Sequence, residues 1–584
     1  MGTEEKTMSS LMSGSQILIE SLVREGAEVI FGYPGGVTIP VYDVLYDHPL
    51  KHILMRHEEN AAFAAEGFAR TTGKVGVCMA TSGPGATNLT TGLVDALMDS
   101  IPIVAITGQV PQAFIGRDAF QEADTFGITR AATKHNYLVK EIADLTQVIH
   151  EAFHVAISGR PGPVLVDITK DVLVGKTHFH SAQELRPMRG FHVQMDPEPA
   201  AIEEAVEFLW QSERPYIYAG GGVISSDAAL ELQRFSELLG APVAHTVMGL
   251  GAMPTEHPNF ISMLGMHGGY AANIGVTKCD ALIGLGVRFD DRVTGKLDRF
   301  APDARVMHVD IDPAEINKNR RADVGVEGDV KRVLQALNQG IEETRAEKGE
   351  AKASARAEWM EQIRAWKQER PFQYEPSETE IKPQRLMEEI AVIAKGDAVV
   401  TVDVGQHQMW AAQFINFNKP RLWCSSSGLG AMGFGLPAAL GAQAANPDQL
   451  VISLSGDGGF QMALPEISTL VSNRLPVKVV IMNNGWLGMV RQWQELFFQK
   501  RYSSVALDAF PDIPMLAAAY GIRGASIDRP GQLKGAFEEM LAEPGPYLLN
   551  VNVSREENVY PMVPSGGAVD EMILEAPQSV AAGD

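Results

Sequence analysis

The sequence predicts an α/β protein of three doubly wound parallel-sheet domains, and three observations carry that expectation. Short β-rich runs alternate with helical periodicity along most of the chain, the pattern of strand–helix units whose strands pair in parallel beneath helices on both faces. Two stretches break the rhythm, a polar, proline-bearing one at 179–199 and a charged one at 342–370, and such breaks mark boundaries. The length of 584 residues, at roughly 150 residues per domain, fits three such units better than four, and one core is not expected at that size.

In order, helices are expected near 17–24, 39–46, 61–70 and 86–98, with strands at 28–31, 52–55, 75–80 and 101–106. In the middle region PYIYAGGG (215–222) reads as a strand entering a glycine turn, followed by a helix near 227–239 and strands at 242–246, 281–286 and 305–311. The last region gives a strand at 398–402, helices near 408–414 and 433–445, and strands at 450–454 and 477–482. The first and third regions share a cadence. The expected division is an N-terminal domain over 12–180, a central domain over 198–340, a linker over 341–378, a C-terminal domain over 379–560 and an arm over 561–584.

Composition excludes several functions. Acidic residues number 72 and basic ones 49, a formal charge of −23, which disfavours a protein that neutralises nucleic-acid phosphates or an anionic membrane surface. No run approaches the ~18 consecutive apolar residues of a membrane span. The start, MGTEEKTMSS, lacks the basic and apolar regions of a signal peptide. Cys78, Cys279 and Cys424 are too far apart for zinc-ligand spacing and too few for a disulfide framework. Buried thiols in a cytoplasmic protein are expected.

The sharpest local signal is VISLSGDGGF (451–460) followed by VVIMNNGWLGMV (479–490). Each is an apolar strand entering a polar, glycine-containing turn, and in a parallel sheet both turns emerge at the carboxyl edge, where ligands bind. Asp457 and Asn484 lie 27 residues apart, enough for one strand–helix–strand excursion that returns beside its starting strand. A carboxylate and an amide oxygen brought together there suit Mg²⁺, which takes its remaining ligands from water and substrate phosphates. Gly456, Gly458 and Gly459 would let backbone N–H groups approach a diphosphate. GDGG alone is also a common turn between strand and helix.

The pairing of GDG with NN resembles the signature of thiamine diphosphate (ThDP) enzymes. Further matches run in order: FGYPGG (31–36), RHEENAAFAAEGFAR (56–70), TSGPGATNL (81–89), GRDAFQEAD (116–124), GMHG (265–268) and RFDDRVTG (288–295). DVGQHQMWAAQ (403–413), GLGAMGFGLPAALGA (428–442), GMVRQWQ (488–494) and YPMVPSGGAVDEMI (560–573) follow. Together they resemble the catalytic subunit of acetohydroxyacid synthases, also called acetolactate synthases. The resemblance implies pyrimidine-binding, central FAD-binding and diphosphate-binding domains, with ThDP, Mg²⁺ and FAD as cofactors.

The same resemblance implies roles residue by residue. Glu58 matches the glutamate that hydrogen-bonds the cofactor pyrimidine and promotes its activation, although RHEE carries Glu59 where the family usually has Gln. Pro84, Asn88, Gly430 and Met432 match the pyrimidine side, and Gln406, His407, Gly456, Asp457, Gly458 and Asn484 the diphosphate side. Asp457, Asn484 and Trp486 match the metal ligands. FAD contacts carry over to Gly220, Gly221, Gly222, Thr246, Met266, His267, Arg288, Asp310 and Asp329. Substrate and catalytic positions carry over to Gly35, Phe120, Gln121, Lys170, Arg292, Met489, Val490 and Trp493.

The implied reaction decarboxylates pyruvate and condenses the two-carbon unit with a second pyruvate or with 2-ketobutyrate, the first common step of branched-chain amino-acid synthesis. The implied assembly is a homodimer or homotetramer with sites at the subunit interface and a small regulatory subunit. The alternatives are a pyruvate oxidase or a catabolic, flavin-free acetolactate synthase, and RFDDR and the Gln-Trp pair argue against both.

Overall fold

The structure is a computed structural model that describes residues 11–182, 188, 191–348 and 351–575. Residues 1–10, part of the polar stretch at 179–199, two residues of the charged stretch and the end of the expected arm lie outside them.

Three six-stranded sheets carry the chain. The first contains strands Val29–Gly32, Lys51–Leu54, Gly76–Ala80, Ile103–Gln109, His135–Val139 and Val164–Thr169. Counted along the chain they lie in the order 2-1-3-4-6-5, all parallel. The central sheet contains Pro215–Ala219, Val243–His245, Phe260–Met263, Ala281–Leu285, Arg305–Asp310 and Val324–Glu327. Its order is 3-2-1-4-5-6, again parallel, the order of dinucleotide-binding doubly wound sheets. The third contains Val399–Val402, Trp423–Ser425, Val451–Gly456, Lys478–Asn483, Arg523–Ile527 and Tyr547–Asn552 and repeats the order of the first. Helices cover both faces, which is why strands such as GVCMA (76–80) and VISLSG (451–456) are buried from end to end.

By contacts the chain forms two compact units. One holds residues up to His192 with Gly428–Val451 and Gly459–Val477; the other holds Val193–Ser427, Ile452–Gly458 and residues from Lys478 onward. Within the first unit, helices Glu58–Thr72 and Gly435–Ala445 pack on each other. Each joins the second strand of its sheet to the third, so they are topological equivalents. Their backbones nearly touch: a Cβ added at Gly67 would lie 2.0 Å from the Ala438 carbonyl oxygen, and one at Gly441 1.8 Å from that of Ala64. Only glycine permits that approach.

In the second unit, the charged stretch at 342–370 is not a break but mostly helix. Val330–Lys348 and Ala353–Glu369 are both α-helical. The second buries Trp359, Met360 and Ile363, with Trp359 and Ile363 packed against the central sheet. Trp359 Nε1 donates to the Pro215 carbonyl at 3.0 Å, and the Arg356 guanidinium donates to the carbonyls of Leu209, Ser212 and Leu239. The charges occupy the outer face, which a residue-by-residue reading of charge does not separate from the buried one. Two smaller differences bear on function. The helix expected from Ala61 begins at Glu58, and the one expected over 86–98 is two, Pro84–Asn88 and Thr90–Asp99.

Candidate active site

In the first unit the sequence places Glu58 where the chain leaves strand Lys51–Leu54 and enters a helix. His57 is the N-cap, accepting the Glu59 N–H, and Glu58 is the first helical residue. That end of a helix presents N–H groups with no intrahelical partner. Glu58 Oε2 accepts a hydrogen bond from Asn88 Nδ2 at 2.9 Å. A Cβ at Gly85 would stand 3.4 Å from Glu58 Oε1, so the turn at Pro84, first residue of its helix, crosses close over the carboxylate. Three of the expected pyrimidine-side residues are therefore brought together: Glu58, Pro84 and Asn88. Burial pushes the Glu59 carboxyl above its usual range, with His57 opposing.

Around them, Gly35 follows the first strand and abuts Thr81, which follows the third. Gln121 has a left-handed φ of 57° and its Cα would lie 2.8 Å from a Cβ at Gly83. Non-glycine residues held there cost about 1 kcal/mol or more and cluster at functional sites. Phe120 is 88% exposed, and Lys170 opens the helix after the strand Val164–Thr169. Gly430, with φ of 74°, and half-buried Met432 belong to the same unit.

Sequence reasoning missed Glu466. Its side chain is fully buried; Oε1 accepts from the Arg56 N–H and from Asn60 Nδ2, both at 2.9 Å, and Oε2 accepts from Thr469 Oγ1 at 2.6 Å. The carboxylate thus brackets Glu58, two residues to either side. A lone Glu in ALPEIST gave no local signal, because Arg56 and Asn60 lie some four hundred residues earlier. Glu466→Ala leaves the Arg56 N–H and the buried Asn60 amide without this acceptor, while Thr469 Oγ1 keeps the Leu54 carbonyl at 3.1 Å, and is expected to cost about 2 kcal/mol of stability, read as a lowered denaturant midpoint at unchanged slope.

In the second unit, strands Val451–Gly456 and Lys478–Asn483 are parallel neighbours in register Ile452 to Lys478 through Gly456 to Met482. Asp457 and Asn484 therefore leave one sheet edge side by side, as the spacing predicts. Asp457 Oδ1 accepts from the Gly458 N–H at 2.9 Å and Oδ2 from the Gly485 N–H at 2.7 Å. Asn484 Oδ1 accepts from the Trp486 N–H at 3.0 Å. Burial pushes the Asp457 carboxyl up to about 6 against those N–H groups, a cost that a bound cation would offset. Among the described residues no three His, Cys, Asp or Glu side chains cluster as metal ligands. A cation here would take one carboxylate, one amide oxygen and a backbone carbonyl such as that of Trp486, with water or phosphate oxygens completing the shell. That donor set fits Mg²⁺ and not zinc.

His407 lies beneath this edge. Its Nε2 accepts from the Gly456 N–H at 3.2 Å, and burial pushes the imidazole down to about 4, so it is neutral. Gln406 Nε2 donates to Gln492 Oε1 at 2.8 Å and to the Glu557 carbonyl at 3.0 Å. The side chain expected to meet the diphosphate is thus anchored within the protein. Helix Gly488–Phe497 carries Met489, Val490 and Trp493; Val490 is 50% exposed, and the Trp493 ring packs 5.2 Å from Phe497. Arg292 is exposed and lies 3.7 Å from Asp291.

The expected flavin residues all lie at the carboxyl edge of the central sheet. Gly220–Gly222 follow its first strand, Thr246 its second, Met266 and His267 its third, Arg288 its fourth; Asp310 ends the fifth and Asp329 follows the sixth. At the switch point between the first and fourth strands, a Cβ on Gly222 would lie 2.6 Å from Gly286 Cα. The two backbones pack directly together there, the Gly222 N–H donating to the Gly286 carbonyl at 3.2 Å and the Gly220 N–H to that of Leu285 at 3.0 Å, the close helix–strand contact of a dinucleotide-binding sheet. His267 Nδ1 bonds the Pro561 carbonyl at 3.1 Å, and burial pushes the ring down to about 4. Gly222→Val is expected to cost about 2 kcal/mol through overpacking against Gly286, read as a lowered denaturant midpoint.

Profiles of one enzyme family match all three regions. They are described as the N-terminal TPP binding domain of thiamine pyrophosphate enzymes over residues 12–128, the central domain over 202–337 and the C-terminal TPP binding domain over 403–551. The acetolactate synthase isozyme 2 large subunit of Escherichia coli is 48% identical over 96% of this chain and 99% of its own. The chloroplastic acetolactate synthase of Arabidopsis thaliana is 46% identical over 96% of this chain and 84% of its own. The acetolactate synthase large subunit of Cyanidium caldarium is 45% identical over 97% and 98%. With its first and third sheets of like order, its Glu58 helix start and its Asp457–Asn484 edge, the chain belongs to the acetolactate synthase large-subunit family of thiamine pyrophosphate enzymes.

Proposed function

We propose that this chain is the catalytic subunit of an acetolactate synthase that joins two 2-keto acids with loss of one CO₂. The observation that carries the reading is Glu58, held at a helix N-terminus by Asn88 and bracketed by Glu466. Bound ThDP would supply the carbanion that adds to the keto group of pyruvate. Glu58 would hold a proton at the pyrimidine N1′ atom, and Asn88 keeps the carboxyl oriented toward it. Asp457, Asn484 and the Trp486 carbonyl would hold Mg²⁺ and through it the diphosphate. Gly456 and Gly458 would admit the phosphate oxygens to backbone N–H groups. Lys170 and Arg292 would draw in the keto-acid carboxylates, which an overall charge of −23 otherwise repels.

Gly35, Phe120, Gln121, Met489, Val490 and Trp493 would line the pocket of the second keto acid, with Trp493 favouring the larger 2-ketobutyrate. FAD in the central domain would be structural, since the reaction moves no net electrons. The same reading places the sites at the interface of a homodimer or homotetramer. The relatives named large subunits support a smaller regulatory partner. The three free, buried cysteines support a cytoplasmic location, and no described helix is long and apolar enough to cross a membrane.

A competition assay with pyruvate and 2-ketobutyrate tests the substrate reading. The expected result is both 2-acetolactate and 2-aceto-2-hydroxybutyrate, the latter in excess at equal concentrations and losing that excess in Trp493→Ala. A product ratio unmoved by that substitution overturns the role of Trp493.

A further inference from the structure

A buried ion network ties the Glu58 helix to a glycine-rich loop, and no role is yet assigned to it. Arg70, three turns beyond Glu58 on the same helix, is 4% exposed at its side chain, and Glu66, Asp95 and Asp99 are fully buried. Arg70 Nη2 donates to Glu66 Oε2 at 2.9 Å and to Asp99 Oδ2 at 2.8 Å, with Asp95 Oδ2 at 3.8 Å. The other Asp99 oxygen, Oδ1, accepts the Gly428 N–H at 2.7 Å. The Arg70 guanidinium also stands 5.3 Å from the centre of the Phe434 ring, which packs edge-on against Phe63 of the same helix at 5.3 Å. One arginine and one aspartate thus pin both ends of the loop 428–434.

Between the pins the backbone takes conformations that favour glycine. Gly430 and Gly433 have φ of 74° and 89°, and Leu429 and Gly430 are exposed. Fixing both ends of a glycine-bearing segment lowers the conformational entropy lost when a ligand settles against it. Gly428 fits the purpose closely: a Cβ there would lie 2.8 Å from Asp99 Oδ1 and 3.1 Å from Met98 Cβ. Burying three carboxylates against one arginine is a poor way to gain stability alone. Burial and the neighbouring Asp95 and Asp99 hold Glu66 well above its usual range, which lightens the repulsion and leaves Asp99 to serve Arg70 and Gly428.

We propose that Asp99 and Arg70 are positioning residues that preorganise the 428–434 loop, and that they set the affinity for the pyrimidine end of ThDP and not the affinity for keto acids. The proposal rests on the reading that Gly430 and Met432 meet the pyrimidine. It distinguishes the network from a mere structural brace, whose loss would lower stability and leave cofactor affinity alone.

The test compares full-length Asp99→Ala, Asp99→Asn, Gly428→Ala and Met432→Ala for thermal unfolding, ThDP half-saturation at fixed Mg²⁺, pyruvate KM and the near-ultraviolet circular dichroism of bound ThDP. Asp99→Ala and Gly428→Ala are expected to raise ThDP half-saturation about tenfold, leave pyruvate KM within about twofold and weaken the cofactor dichroism. Asp99→Asn, which keeps an acceptor for the Gly428 N–H, should recover part of the loss. Gly428→Ala breaks the same contact without leaving a buried arginine unmatched, and it decides the matter if Asp99→Ala does not fold. Unchanged ThDP half-saturation in folded Asp99→Ala or Gly428→Ala, while Met432→Ala shifts it, overturns the proposal. Unchanged half-saturation in Met432→Ala instead overturns the reading of the loop beneath it.

Discussion

Glu58→Gln is expected to bind ThDP and flavin nearly as the parent does and to lose acetolactate formation by about 10² to 10⁴-fold, the usual range for a positioned proton-transfer group. The substitution is nearly isosteric. The amide oxygen that it introduces can still accept from Asn88 Nδ2, which lies 2.9 Å from Glu58 Oε2, and the Glu466 bracket on Arg56 and Asn60 does not involve the Glu58 side chain. The fold and helix start are therefore retained, and what disappears is a carboxyl able to share a proton with the pyrimidine. Thermal unfolding of both proteins serves as the check on folding. A variant with turnover within a few-fold of the parent contradicts the role given to Glu58.

Asp457→Ala is expected to raise ThDP half-saturation by about a hundredfold, near 3 kcal/mol, and to remove its dependence on Mg²⁺. Asp457 is 3% exposed and its two oxygens face the N–H groups of Gly458 and Gly485. Alanine thus removes the only carboxylate expected in the shell, and no neighbouring cluster of ligands stands in for it among the described residues. The two variants should separate: Glu58→Gln binds cofactor without turning over, whereas Asp457→Ala regains turnover only at high ThDP. Equal Mg²⁺ dependence in parent and Asp457→Ala, followed by titration of ThDP binding, contradicts the metal assignment.

Much of this was legible along the chain because the relevant physics is local. A strand–helix–strand interval of 27 residues returns a parallel strand to its neighbour, so the adjacency of Asp457 and Asn484 followed from spacing. Continuous apolar strands announced sheets covered on both faces. The shared cadence of the first and third regions hinted at their common 2-1-3-4-6-5 order, although strand order itself depends on pairings between distant segments and could not be read. The same limit hid Glu466 and the Asp99–Gly428 bond, whose partners are separated by hundreds of residues. The helix Ala353–Glu369 was hidden differently: its charges are conspicuous in sequence, while the face bearing Trp359 and Ile363 is what the fold uses.

The measurement that bears most directly on the account is product analysis from pyruvate alone with Mg²⁺ and ThDP, quantifying CO₂ and each organic product. Two pyruvates and one proton become one 2-acetolactate and one CO₂, so the account predicts equal amounts of both, dependence on ThDP, and no net reduction of flavin. Acetaldehyde, or acetate or acetyl phosphate accompanied by flavin reduction, with no 2-acetolactate formed, would contradict it.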